Sequence, residues 1–151
     1  MAKIKITNDE LVTFRSAAQT YINRNPDRTK LHYALEKTLK RTLPFFEDYA
    51  DKENDYRVDA AVIDEKTKTF VLLEDKRSMA VDPAKAKELQ KNMRALGRQT
   101  VEFDAHYATD VPKDLEAMWV QMFVGIVIKD DPMETSPVLT EEKDTLTISK
   151  E

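Results

Sequence analysis

The stretch Tyr56–Arg77, YRVDAAVIDEKTKTFVLLEDKR, decides how the chain is read. Taken as a β-hairpin, it carries Asp59 on one strand and Glu74-Asp75-Lys76 on the next. That is the donor set of a two-carboxylate nuclease: the acids hold Mg²⁺, and the lysine orients water and stabilises developing charge. Taken as the end of a long helix followed by a small hairpin, it carries no chemistry. Tyr56 and Ala60 continue a three-and-four spacing that begins near Leu31, which favours helix at Asp59.

Working outward, the totals narrow the classes. A chain of 151 residues is long enough for one domain with one core. Only two glycines occur, Gly97 and Gly125, which argues against barrels, sandwiches and glycine-rich phosphate loops. The formal net charge of −4 gives no general attraction to nucleic acid, so a nucleic-acid partner is not expected. Cysteine is absent, which removes disulfides, thiolate metal ligands and a cysteine nucleophile. The start MAKIKITNDEL has no apolar run of signal-peptide length, and no segment has the ~18 apolar residues of a membrane span. A soluble protein without a membrane partner is the expectation.

Ile4 and Ile6 alternate on a short strand, and Thr7 with Glu10 forms a capping box ahead of a helix over 8–24. Pro26 breaks that helix. From Asp27 a longer helical stripe runs through Leu31, Leu35, Leu39 and Phe46, with Pro44 predicting a kink or break. The two form an antiparallel helical hairpin. Phe70–Leu73 reads as a strand, and Asp82-Pro83 starts a helix that Gly97 closes. Residues 101–107 alternate as a half-exposed strand. A short helix carries Leu115, Met118, Trp119 and Met122, and FVGIVI (123–128) reads as a buried strand. The expected fold is α+β: an antiparallel helical hairpin packed on a small mixed β-sheet with two further short helices. Residues 1–128 make one globular domain, and 129–151 a polar, flexible tail.

Other candidate sites are sparse. His32 and His106 lie in different elements without a metal-ligand spacing, and read as surface or edge histidines. The serines stand in no nucleophile-elbow context. Lys37, Lys40 and Arg41 share a helix face, where Glu36 can pair with Lys40. Trp119 with Met118, Met122 and Phe123 reads as core.

In order, the chain shows KITNDEL, the helix-to-turn segment LHYALEKTLKRTLPFFEDYADKENDYRVDAAVIDEKTK, the hairpin FVLLEDKRSMAV, the charged helix DPAKAKELQKNMRAL, and VEFDAHYATDVPKDL followed by FVGIVI. Over about residues 3 to 128 it resembles small uncharacterised proteins of tailed bacteriophages and prophages of Bacteroidetes hosts, a domain-of-unknown-function group. It departs from them at Pro44 and at EDKRSM, where a glycine-containing turn is usual. The resemblance implies a phage-encoded protein without defined catalytic residues, in the structural or assembly module.

The expectation is therefore a non-enzymatic phage protein acting by protein–protein contact, in virion assembly or as an accessory component. Its partners would be other phage proteins or a second copy, with no cofactor and no metal, in the host cytoplasm or the virion. Two alternatives stand beside it: a Mg²⁺-dependent nuclease built on Asp59, Glu74 and Lys76, and a small inhibitor of a host factor.

Overall fold

The computed structural model describes residues 2–130. The tail expected over 129–151 falls, from residue 131 onward, outside the described residues. The elements run β1 (Lys3–Thr7), α1 (Asn8–Arg24), α2 (Lys30–Asp59), β2 (Ile63–Asp64), β3 (Thr69–Phe70), α3 (Ala86–Arg98), β4 (Thr100–Asp104) and α4 (Ala117–Phe123). This is an α+β fold, as the sequence predicts. Its strands divide between two two-stranded sheets, β1–β4 and β2–β3. Both are antiparallel.

The start of α1 follows directly from the capping box. The Thr7 amide donates to Glu10 Oε1 at 2.8 Å, and the Glu10 amide donates to Thr7 Oγ1 at 3.1 Å. Each side chain satisfies a donor that the helix leaves orphaned. α2 runs through Pro44 as one helix, where the sequence predicts a kink or break.

The chain gathers into two compact units, each discontinuous in sequence. In the first, described over 2–4, 14–40 and 104–130, the arms of α1 and α2 run antiparallel about the turn near Asp27. Arg15 Nη1 donates to the Leu39 carbonyl at 2.7 Å, fixing the hairpin's register. Its core is aromatic. Phe14 meets Phe123 edge-on at 6.0 Å between ring centroids, and Tyr21 meets Trp119 edge-on at 5.3 Å. Trp119 stacks on Phe123 at 5.9 Å. Trp119 and Phe123 are thus core, as expected, while their neighbours Met118 and Met122 are exposed.

Four sequence expectations need correction here. FVGIVI is not a strand: α4 continues to Phe123, and the amides of Ile126, Val127 and Ile128 all donate to the Phe123 carbonyl. Gly125 makes this turn possible with a φ of 87°, a conformation that side-chain-bearing residues rarely adopt. The strand expected over 101–107 stops at Asp104. His32 is buried rather than on the surface; its Nδ1 lies 3.4 Å from Glu36 Oε1. The same oxygen takes Arg28 Nη2 at 2.8 Å, so Glu36 serves these two groups instead of Lys40. His106 is half-buried, its ring 5.5 Å from that of Tyr33.

The second unit comprises Lys5–Thr13 and Arg41–Phe103. Buried Asn8 ties the start of α1 to the end of α3, its Nδ2 donating to the Leu96 carbonyl at 2.9 Å. Gly97 lies inside α3 rather than closing it, because the Asp9 carboxylate occupies the space a Cβ would need; Asp9 Oδ2 would be 2.6 Å away. α3 begins at Ala86, three residues later than the Asp82-Pro83 signal suggests. Residues 83–85 form a turn in which Asp82 Oδ1 accepts the Ala84 amide at 3.0 Å.

Candidate protein-interaction surface

Residues 56–77 are the end of a long helix followed by a small hairpin, the second of the two readings. Helix α2 holds Asp59 as its last residue, and the chain becomes extended only from Ala61. From there three short segments, 60–64, 69–73 and 78–82, pair in a closed cycle. The Val62 amide donates to the Ala80 carbonyl at 2.9 Å, Ala80 donates to Val71 at 2.7 Å, and Val71 donates to Val62 at 2.9 Å. Each of the three residues gives one bond and receives one. Three antiparallel arms radiate from this ring: 60–62 with 80–82, 62–64 with 69–71, and 71–73 with 78–80. The strand that the sequence places at Phe70–Leu73 is therefore split. Its first residue closes the 63–70 arm, and Leu72 pairs with Met79 in the next.

Both free arms end in turns built by an aspartate. Asp64 Oδ1 accepts the Lys66 amide at 2.9 Å, and Lys68 turns the chain with a φ of 61°. Asp75 Oδ1 accepts the amides of Arg77 and Ser78, each at 2.9 Å, and its Oδ2 accepts Ser78 Oγ at 2.7 Å. These bonds, the Ser78 and Arg77 amides first, hold the Asp75 carboxyl below its ordinary value, because they favour the charged form. Lys76 occupies the left-handed position of this turn, with a φ of 59°.

The pairing fixes where the side chains go. Residues directly opposite in an antiparallel pair share a face, and residues two apart on a strand share a face. The opposed pairs are Ile63 with Phe70, Leu72 with Met79, and Ala61 with Val81. Phe70 and Leu72 flank Val71, Met79 and Val81 flank Ala80, and Ala61 and Ile63 flank Val62. All six therefore lie on one face of the junction, and all six are apolar. Ala61 is buried and Met79 half-buried, but Ile63, Phe70, Leu72 and Val81 are 49, 40, 46 and 39% exposed. Val71 and Leu73, alternating with them along the strand, are exposed on the opposite face.

The candidate nuclease residues are placed otherwise. Asp59 ends α2, and its backbone carbonyl accepts Lys85 Nζ at 3.2 Å. It borders a shallow hollow of about 240 Å³ with Tyr56, Lys85, Glu88 and Asn92. Glu74 and Lys76 sit in the turn that closes the 71–80 arm, on neither side of that hollow. Among the described residues no group of three or more His, Cys, Asp or Glu is arranged to hold a metal ion. None of their helices is long and apolar enough to cross a membrane.

The apolar face is not legible in the sequence, because it forms only when the segments around Val62, Val71 and Ala80 close on one another. Comparison with family models, with curated proteins and with solved structures gives no match. Fold and surface together define an α+β chain that displays a three-armed apolar β-junction.

Proposed function

We propose that the chain is a non-enzymatic protein that acts through protein–protein contact, and that the junction face formed by Ile63, Phe70, Leu72 and Val81 is where it makes that contact. The observation carrying this reading is the exposure of those side chains on one face. A contiguous apolar patch of this kind on a charged protein marks an interaction site, since burying it against a partner recovers the hydrophobic free energy that the fold itself leaves unused. Backbone closure at 62, 71 and 80 holds the face in one shape, so little conformational entropy is lost on docking. The resemblance to small tailed-phage proteins supports a role in virion assembly or as an accessory component, in the host cytoplasm or the virion, with another phage protein as partner.

A photoactivatable phenylalanine analogue at position 70, in cells that naturally make the protein, tests this. A discrete protein adduct is expected that Ile63→Ser/Leu72→Ser abolishes and that the same analogue at Thr67 does not give. No adduct at position 70, or one indifferent to the double substitution, contradicts the proposal. Mass spectrometry of purified virions then separates a structural from an intracellular role.

A further inference from the structure

Two helices of the second unit each carry a row of like charges. Between Lys85 and Arg98 there are five cations and one acid, Glu88. Lys87, Lys91, Arg94 and Arg98 recur at intervals of four, three and four, which on an α-helix puts them within an arc of about 60° over a length of about 16 Å. On α2, Asp48, Asp51, Asp55 and Asp59 recur at three, four and four, within about 80° and over the same length of about 16 Å. All eight residues are exposed. Away from these two rows charges are matched locally, as in Arg28–Glu36 and, on the opposite side of α2, Arg57–Glu53. Here, among the described residues, only Asp48 has an ion pair, to Lys52 at 3.1 Å.

We infer that a second copy of this chain is the ligand of both stripes: the basic stripe of α3 on one copy docks against the acidic stripe of α2 on another. The two ladders have equal length and spacings that differ by one residue at most, so they pair in register, with four cations against four carboxylates of which Asp48 is shared with Lys52. Each copy carries one of each sign, so a single contact geometry satisfies both stripes, either in a closed pair or head to tail. Exposed ion pairs are individually weak, but a row of four that also excludes like-charged approach gives orientation and salt-dependent association. This surface differs from the apolar junction face and leaves it intact. Failure of the contact therefore does not touch the proposed function, and failure of the crosslink at position 70 leaves this contact standing.

Sedimentation velocity of the full chain over a broad concentration series, at about 0.1 M and about 1 M salt, tests it, because the screening length falls between them from about 10 Å to about 3 Å. The intact protein is expected to associate at low salt and to do so about tenfold more weakly at high salt. Lys91→Glu/Arg94→Glu and Asp51→Lys/Asp55→Lys, each folded by circular dichroism, should each lose association by about tenfold or more. An equimolar mixture of the two reversed proteins should regain it, since each then supplies the stripe the other lacks. A monomer at both salts, or a mixture that fails to associate, overturns the inference. So does a monomer that binds a labelled DNA or RNA duplex through Lys91 and Arg94 without self-associating, which would assign the stripe to nucleic acid.

Discussion

Two regions of the molecule are both built from large apolar side chains and use them oppositely. In the first unit Phe14, Tyr21, Trp119 and Phe123 pack ring against ring and are closed to solvent. In the β-junction Ile63, Phe70, Leu72 and Val81 stand 39–49% exposed on a scaffold of backbone hydrogen bonds. Large apolar side chains in a core stabilise the fold. Exposed on a rigid scaffold, they contribute little to it and are free to stabilise a complex. Hydrophobicity along the sequence does not separate these two uses; the pairing pattern does.

The sharpest way to break the comparison is to delete a core ring and a junction side chain and compare stabilities. Phe123→Ala leaves a cavity among Phe14, Tyr21 and Trp119 and should cost about 3–5 kcal/mol by denaturant unfolding. Asn8→Ala should cost about 1 kcal/mol, because it removes the buried bond to the Leu96 carbonyl, which then keeps only the Gln99 amide. Thr7→Ala breaks the capping box and should cost about 1 kcal/mol. Ile63→Ser/Leu72→Ser should stay within about 0.5 kcal/mol of the parent, although it removes two large side chains. A loss comparable to that of Phe123→Ala would show that the junction face is core after all.

The smallest expected effect is local. Asp75 has a depressed carboxyl in the folded turn, so the order it provides is present above its ordinary value of 3.8 and is lost as pH falls through the lower folded value. Amide exchange at Arg77 and Ser78 should therefore quicken only under strongly acidic conditions. In Asp75→Ala, which removes the acceptor, it should already be fast at neutral pH, with the global melting temperature unchanged.

Much of the helical part was legible. Thr7 and Glu10 placed the start of α1 because capping is a local exchange of hydrogen bonds, and the Leu31–Phe46 stripe placed α2. The run 123–128 was misread because a short apolar stretch looks alike as strand or as buried turn, and the deciding feature, Gly125 at positive φ, carries no periodicity. Pro44 predicted a kink or a break, and α2 is not broken there. Leu31, Ala34 and Leu35 are buried ahead of it and Phe46 and Tyr49 are half-buried after it, which outweighs one lost hydrogen bond. At 56–65 the helical phase and the strand pattern were each right for half of the segment. The apolar face could not be read at all, since three segments closing on one another is a tertiary fact. The candidate site Asp59, Glu74 and Lys76 rested on a hairpin register that the three arms replace.

The account turns on whether the junction face is left uncovered by the chain itself. Fluorine NMR of the full chain at monomeric dilution, with 4-fluorophenylalanine at the six phenylalanines, measures this through the shift between light and heavy water. Phe70 should show a clear solvent-isotope shift and Phe123 none. A Phe70 signal as insensitive as that of Phe123 would mean that the chain covers this face, and would contradict its assignment as a surface for a partner.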